Sequence, residues 1–275
     1  MTGKTKNYKF GNKNNWRRTV WNIAAKHIPK KKNAICLYVG DEKDLDRPVA
    51  IKKGFYSNNL ILVNNDKKVV DKIRRQKKLA ITGDVQDILS SWNSETKISF
   101  ANLDVCCGIE KSIFIDVFNC LFLPVVARPG VVCFNLQRGR DNYSNDIRNK
   151  YIKAIKKTRL NIKQFGIDSY KHRGFLLYSS ILEFLMSPHK GKDISIEDFE
   201  FQAAFIKTLL EPVFLSYKSG VVMDSVIIKI NKEMPILFQR DFFPERTKTV
   251  SPQISAVLAV RTMKRKRYLS PSPAY

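Results

Sequence analysis

An aspartate and two adjacent cysteines stand close together in ISFANLDVCCGIE, residues 98–110. A carboxylate such as Asp104 can accept a hydrogen bond from an exocyclic amine and orient its lone pair. A thiolate at Cys106 or Cys107 could act as a nucleophile, because local groups at a strand end can lower the pKa of a thiol there. Both cysteines could equally be small apolar residues where a tight turn meets a sheet, or could line a substrate site without covalent chemistry. All three roles stay open from the sequence.

Polar residues also follow three earlier apolar runs, AICLYVG (34–40), LILVNND (60–66) and LAITGD (79–84). A glycine is needed where backbone must approach a ligand closely. Carboxylate and amide oxygens accept hydrogen bonds from hydroxyl and amine groups. The sequence therefore offers a second set of candidate ligand-binding residues at these run ends, which are Gly40, Asp41, Asn64, Asp66, Gly83 and Asp84.

The elements that must position these residues alternate between short apolar strands and helical segments. This alternation predicts an α/β fold with a doubly wound, mostly parallel sheet, in which ligands bind beyond the carboxyl ends of the strands. The predicted strands are 34–40, 60–66, 79–84, 97–104 and 130–137, the last introduced by an Arg-Pro-Gly turn. The predicted helices between them are 45–55, 67–78, 85–92 and 111–127.

The later part of the chain predicts two helices, 173–187 and 195–210, and a strand hairpin at 212–230 that turns at Ser219–Gly220. The hairpin is expected to complete the sheet, and the helices to form an insertion. Five segments are predicted: a basic aromatic N-terminal arm (1–33), the α/β core (34–140), a basic helical region (141–211), the late hairpin (212–232) and a basic C-terminal tail (233–275).

The charge of the chain is strongly unbalanced: 49 Lys and Arg residues against 25 Asp and Glu give a formal net charge of +24. A field of this strength attracts polyanions, so nucleic acid is the predicted partner. In the N-terminal arm, Trp16 and Trp21 lie among basic residues and could stack on bases; alternatively, a short helix docks both tryptophans on the core. The predicted phosphate contacts are Arg17, Arg18, Lys30, Lys31, Lys32, Arg138, Arg140, Lys156 and Lys157.

The five cysteines show neither a C-x-x-C pair nor a histidine at metal spacing, which argues against a metal site or a disulfide framework. Apolar runs stay below the roughly 18 residues that a membrane span needs, and the N-terminus lacks the apolar stretch of a secretory signal. We therefore expect a cytoplasmic protein without a membrane partner. In a eukaryotic host the KRKR at 264–267 could be a nuclear address, although a phosphate-binding tail is the favoured interpretation.

Five strand–helix units followed by a late hairpin resemble the class I S-adenosylmethionine-dependent methyltransferases. The resemblance covers residues 34–140, with the hairpin as the last two strands. It implies S-adenosylmethionine as cofactor. Gly40 and Asp41 would lie by its methionine part, Asn64 and Asp66 by its ribose, and Gly83 and Asp84 by its adenine. Asp104, Cys106 and Cys107 would be the catalytic residues.

The match to this family is uneven along the chain. The TGD at 82–84 fits the adenine-site pattern well, whereas YVGDEKDLDR has only Gly40 of the usual glycine-rich loop. Asn64 stands where the family has its ribose-binding acid. The leading hypothesis is a methyltransferase acting on DNA or RNA. The alternative is a non-catalytic nucleic-acid-binding protein that keeps a degenerate methyltransferase-like fold. An enzyme that uses the cofactor on a small molecule would leave the charge unexplained.

Overall fold

The computed structural model describes residues 11–92, 95–109, 111–139, 153, 155, 160, 162–165, 167, 171–186 and 196–237. Within these ranges, the side chains of residues 105–107, 111–112, 196–200 and 203 are outside the description.

The strands and helices alternate along the first half of the chain, as predicted. The strands are β1 (Ile35–Val39), β2 (Leu60–Asn64), β3 (Leu79–Thr82), β4 (Ile98–Cys107), β5 (Val126–Gln137), β6 (Leu210–Ser219) and β7 (Val221–Ile230). The helices are α1 (Lys13–His27), α2 (Asp46–Lys52), α3 (Lys67–Arg75), α4 (Val85–Ser90), α5 (Lys111–Leu121), α6 (Arg173–Met186) and α7 (Ile196–Leu209).

The strands form a seven-stranded sheet in the order β3-β2-β1-β4-β5-β7-β6. The pairs β1–β2, β1–β4 and β2–β3 are parallel, and β6 and β7 form an antiparallel hairpin. The hairpin turns at Gly220, where φ is +72°, a left-handed conformation that favours glycine. The predicted α/β fold, a mostly parallel methyltransferase-like sheet completed by a late hairpin, is confirmed.

Three predicted boundaries in the middle of the chain are wrong. β4 runs to Cys107 and not to Asp104. α5 ends at Leu121, because Pro124 cannot continue a helix and the Arg128 guanidinium donates to the Leu121 carbonyl at 2.8 Å. The predicted Arg-Pro-Gly turn lies inside β5, which begins at Val126. A Cβ at Gly130 would lie 2.3 Å from the Ala127 carbonyl oxygen, so this glycine permits a close backbone approach.

The chain divides into two compact units. The parallel unit comprises Trp21–Leu103, Ser112–Val131 and Pro235–Tyr275, and the hairpin unit comprises Met1–Val20, Asp104–Lys111 and Val132–Met234. β4 and β5 each contribute residues to both units. Each unit is described by itself below.

In the parallel unit, an aromatic cluster and one buried carboxylate hold α1, α2 and the sheet together. The Trp21 ring contacts Tyr38, Phe55 and Phe100, with ring centroids 4.6–6.0 Å apart. Its indole Nε1 donates to the buried carboxylate of Asp46 at 2.7 Å. Such edge-on aromatic contacts stabilise a core beyond simple area burial. Trp21 is therefore a core residue, as the docked-helix interpretation of the arm predicts.

A second buried network in this unit fixes the turns before β2 and β3. Asp44 accepts hydrogen bonds from the Tyr38 hydroxyl and from Arg47 Nε, both at 2.6 Å. The Arg47 guanidinium also donates to the carbonyls of Ser57, Leu60 and Leu79 at 3.0–3.2 Å. A buried guanidinium is tolerated only when it is paired and its donors are used, and both conditions hold here.

In the hairpin unit, the first turns of α1 dock on the β6–β7 hairpin. The Trp16 ring lies 4.9 Å from the Tyr217 ring, and its Nε1 donates to Ser225 Oγ at 2.9 Å. Ser225 in turn donates to Asn135 Oδ1 on β5. Lys218 N donates to the Gly11 carbonyl at 3.0 Å. Trp16 is only 4% exposed and is therefore not available to stack on a base.

Candidate functional site

The carboxyl ends of β1, β2 and β3 meet in the parallel unit, where the sequence places six candidate cofactor-binding residues. Asn64 connects them: its Nδ2 donates to the Gly40 carbonyl at 2.7 Å, and its backbone carbonyl accepts from Gly83 N at 3.1 Å. Gly40 N also donates to the Val63 carbonyl at 3.2 Å. The structure therefore brings the three predicted strand ends to one edge, which we call the carboxyl edge.

The three acids of this edge share one local geometry. Asp41, Asp66 and Asp84 are exposed, and in each the Oδ1 accepts a hydrogen bond from the backbone N–H two residues ahead, at 2.8–2.9 Å. Asp66 begins α3 and Asp84 begins α4 in this way, as N-cap residues. Capping uses one oxygen and fixes the orientation of the carboxylate. The second oxygen of a carboxylate keeps its capacity to accept hydrogen bonds from a ligand.

Gly40 is closely packed on the sheet. A Cβ at this position would lie 2.9 Å from Leu62 Cδ1 and 3.4 Å from Tyr38 Cε2. Beyond Gly40 the chain enters the buried network of Asp44 and Arg47. The glycine therefore serves contact between neighbouring strands, and the turn after β1 is built by side-chain packing where the family has further glycines.

A buried carboxylate that the sequence did not point to lies near Asp84. Asp116 of α5 is 4% exposed, and its Oδ1 has no hydrogen-bond partner among the described residues. Burial and the negative charge of Asp84 raise the pKa of Asp116 to about 7. Burial, with Asp116 adding to it, raises the pKa of the Cys120 thiol one turn further along the helix. Only a tertiary contact between α5 and the strand-three end reveals this carboxyl group.

In the hairpin unit, Asp104 lies within β4, three residues before its end, and this corrects the predicted strand-end position. Its carboxylate forms an ion pair with Lys13 of α1, with 2.7 Å between Oδ2 and Nζ. The Asp104 side chain is 9% exposed. Cys106 and Cys107 are the last two residues of β4, but their side chains lie outside the described residues. Their predicted chemistry stays a prediction.

The predicted phosphate contacts fall into four situations. Arg18, Lys30 and Lys32 are exposed and Lys31 is half-buried, so their charges can reach a polyanion. Arg17 is 6% exposed and donates to Asn14 Oδ1 at 2.8 Å, which argues against a phosphate contact there. Arg138 is half-buried and is paired with the buried carboxylate of Asp224. The remaining three, Arg140, Lys156 and Lys157, lie outside the described residues.

The Arg138 pair is the center of a polar cluster in the hairpin unit. Its guanidinium donates two hydrogen bonds to the fully buried Asp224 carboxylate, at 2.7 and 3.0 Å. Asp224 also accepts from Ser216 Oγ at 2.6 Å and from Arg173 N at 3.0 Å. His172 is buried beside this carboxylate, and burial lowers the pKa of its imidazole. Asp224 of β7 therefore connects β6, α6 and Arg138, the residue directly after β5.

Sequence reasoning missed the buried polar residues Asp44, Asp46, Arg47, Asn102, Asp116 and Asp224. Asn102 illustrates why. It pairs with Tyr38 across β4 and β1, its Nδ2 lies 3.4 Å from Asp46 Oδ1, and it is 1% exposed. A polar residue in a strand gives no sequence signal of its burial, because the partner lies far along the chain. The i,i+3 spacing of Asp44 and Arg47 was the one local signal present.

Within the described part of the chain, no helix is long and apolar enough to cross a bilayer. The fold and the carboxyl edge together define a doubly wound α/β protein with methyltransferase-like architecture. No protein-family model and no curated protein sequence matches the chain.

Solved structures of similar fold share little sequence with the chain. An S-adenosylmethionine-dependent methyltransferase from Archaeoglobus fulgidus is 13% identical, with 78% of this chain and 94% of that chain covered and a TM-score of 0.38. A putative sarcosine dimethylglycine methyltransferase from Galdieria sulphuraria is 10% identical, with 80% and 85% covered and a TM-score of 0.40. A putative RNA methyltransferase from Pyrococcus horikoshii is 12% identical, with 83% and 94% covered and a TM-score of 0.38.

Proposed function

We propose that the chain is an S-adenosylmethionine-dependent methyltransferase that acts on nucleic acid, with the carboxyl edge of the parallel unit as its cofactor site. The observation that carries the proposal is the reversal of strand order at β1, which has β2 on one side and β4 on the other. In doubly wound sheets a ligand binds beyond the carboxyl ends of the strands at such a reversal. Exposed carboxylates at Asp41, Asp66 and Asp84 line the strand ends there.

The residues of this edge fit the nucleoside half of the cofactor. Ribose hydroxyls and the adenine amine are donors, and the second oxygens of Asp66 and Asp84 are acceptors held in place by helix capping. The fit is weaker at the methionine half, because the turn after β1 has only Gly40, whose Cβ side packs against Leu62. Once bound, S-adenosylmethionine supplies an electrophilic methyl group. In this scheme Asp104 accepts a hydrogen bond from the target amine and orients its lone pair.

Asparagine substitutions test the cofactor site without disturbing the fold. Asp66→Asn and Asp84→Asn keep a good N-cap but remove the carboxylate, whereas the alanine variants also lose the cap at a cost of about 1 kcal/mol. We expect each asparagine variant to weaken S-adenosylmethionine binding roughly tenfold in calorimetry, with an unchanged midpoint of thermal unfolding. The matched control is Asp87→Asn, an exposed acid on α4 that does not cap a helix. Wild-type protein that binds no S-adenosylmethionine would refute the proposal.

Nucleic acid is the proposed substrate because of the net charge of +24. A polyanion near this surface gains from release of its condensed counterions, whereas a small neutral substrate gains nothing from such a field. Incubation with cofactor labelled in its methyl group, followed by separation of RNA, DNA and protein, measures the target directly. Label found only in small molecules would contradict this part of the proposal.

One observation favors the alternative, a nucleic-acid-binding protein with a degenerate fold. The turn after β1 has only Gly40 of the usual glycine-rich loop, and its Asp44 is held by hydrogen bonds from Tyr38 and Arg47. The alternative predicts nucleic-acid binding that is strongly salt-dependent, with no heat of cofactor binding. Calorimetry with S-adenosylmethionine separates the two functions in one measurement.

A further inference from the structure

The turns that lead into the strands of the parallel unit carry a concentration of positive charge. Because β1, β2 and β3 are mutually parallel, the turns before them lie at the same edge of the sheet, opposite the carboxyl edge. We call the basic side chains of these turns the amino-edge surface. Its members are Lys30, Lys31 and Lys32 before β1, Lys52 and Lys53 before β2, and Arg74, Arg75 and Lys77 before β3.

The two edges of this sheet differ in charge. The segments 28–34, 51–59 and 73–78 contain no Asp or Glu, whereas the carboxyl edge presents Asp41, Glu42, Asp66 and Asp84. β1 is five residues long, so the two edges are on the order of 15 Å apart along the strands. A polyanion is therefore attracted more strongly to the amino-edge surface than to the carboxyl edge, where Lys43, Lys67 and Lys68 offset the acids.

Buried hydrogen bonds hold the backbone of the amino-edge surface in place. The Lys32 carbonyl accepts from Asn59 Nδ2 at 2.6 Å, which ties the first turn to the second. Arg47 donates to the carbonyls of Ser57 and Leu79 and so ties the second turn to the third. Lys53 Nζ donates to a neutral partner, Asn22 Oδ1, at 3.1 Å and keeps its charge. The cations are thus presented from a preformed scaffold.

An aromatic side chain lies in the same set of turns. Tyr56 follows the buried Phe55 in the segment between α2 and β2 and is 42% exposed. Exposed rings among basic side chains are the arrangement by which proteins bind single strands, since bases stack on the ring while lysines contact phosphates. A duplex keeps its bases stacked on one another and cannot use such a ring without unpairing.

We propose that the amino-edge surface binds single-stranded nucleic acid, with Lys30, Lys31 and Lys32 on phosphates and Tyr56 stacked on a base. The inference rests on the nucleic-acid part of the proposed function and is independent of cofactor binding. It places the anchoring contact at the edge of the parallel unit remote from the candidate cofactor residues. A nucleic-acid strand bound at this surface is therefore anchored through nucleotides other than the one that is modified.

Fluorescence anisotropy with a labelled single-stranded RNA, a single-stranded DNA and a duplex of the same sequence tests this surface. Replacing Lys30, Lys31 and Lys32 together by glutamine should weaken single-strand binding at least tenfold and lower the slope of log K against log salt by about 2. The control replaces Lys43, Lys67 and Lys68, exposed lysines at the carboxyl edge, and removes the same net charge. Equal loss in both triple variants would overturn the proposal, because net charge alone would then explain binding.

Substitutions of Tyr56 distinguish the contribution of base stacking from that of electrostatic attraction. Tyr56→Ala should weaken binding of the single strands roughly tenfold without changing the salt slope, whereas Tyr56→Phe should bind normally. Unchanged binding by Tyr56→Ala, or a duplex bound as tightly as the single strands, would refute the stacking contact. Circular dichroism and thermal unfolding verify that each variant is folded. Calorimetry with S-adenosylmethionine on the lysine variant gives an independent readout, so failure of the cofactor site and failure of this surface are distinguished.

Discussion

The Asp104 carboxylate on β4 and the Lys13 ammonium on α1 form an ion pair, with 2.7 Å between Oδ2 and Nζ. The side chain of Asp104 is 9% exposed, while that of Lys13 is 37% exposed. The pair places a part-exposed cation on the carboxylate that is proposed to orient the target amine. Lys13 must give up this contact, at least in part, when a substrate amine takes its place.

Asp104→Asn should lower the rate of methyl transfer about 100-fold and leave cofactor affinity unchanged, because an amide is a poorer hydrogen-bond acceptor than a carboxylate. Lys13→Met is the matched variant: it removes the competing cation and should not lower the rate. Single-turnover transfer of labelled methyl groups measures both. Full activity of Asp104→Asn would show that the carboxylate only anchors α1.

Arg138 offers a second test, since the sequence predicts a phosphate contact and the structure shows a bidentate pair with buried Asp224. Arg138→Ala removes the charged partner of a buried carboxylate, to which Ser216 Oγ and Arg173 N still donate, and should lower the free energy of unfolding by about 3 kcal/mol. Arg138→Lys should lose less, because the charge is kept although the second hydrogen bond is lost. Urea denaturation provides the measurement. Normal stability of Arg138→Ala combined with weaker nucleic-acid binding would instead support the phosphate contact.

Asp116 should make stability depend on pH in the neutral range. Its pKa is about 7 in the folded protein, against an ordinary value of 3.8. The folded state therefore binds more protons than the unfolded state between these values, and stability falls as pH rises from about 4 to about 7. The loss has an upper limit on the order of 4 kcal/mol.

Asp116→Asn should remove this dependence and be more stable than the wild type at pH 7 and above. Asp87→Asn, on the neighboring helix α4, is the control for a general change of charge. Thermal unfolding between pH 5 and pH 8 provides the comparison. Parallel stability curves for wild type and Asp116→Asn would show that this carboxyl group is ionised throughout.

Gly40 should be intolerant of a methyl group for reasons of packing. Gly40→Ala forces a Cβ to within 2.9 Å of Leu62 Cδ1 and should cost about 1–3 kcal/mol. The control is Gly11→Ala, where the nearest atom would be 3.8 Å away. Shortening the neighbor in the double variant Gly40→Ala, Leu62→Val should recover part of the loss. A stable Gly40→Ala would show that this part of the sheet can shift.

Much of the fold could be predicted from local pattern. Apolar runs bounded by turn residues identified the strands, and Ser219–Gly220 correctly marked the hairpin turn, because a left-handed residue is a local requirement. Prediction from local sequence was wrong where a contact with a residue distant in the chain decides where a strand begins or ends. Asp104 was expected to end β4, but Lys13 lies against its charge and the strand continues. Gly130 was expected in a turn, but it allows a close backbone approach inside β5.

The sequence also determined only part of the candidate site. The sequence by itself determined the chemical groups at the strand ends and the excess of positive charge. Only the tertiary structure decided that Asp66 and Asp84 are helix caps, that Asp116 is buried near Asp84, and that Arg17 and Arg138 are engaged. It also placed the basic turns that contain no acid at the edge of the parallel unit opposite the exposed acids. The physical reason is the parallel arrangement of β1, β2 and β3, which brings turns far apart in the chain to one edge.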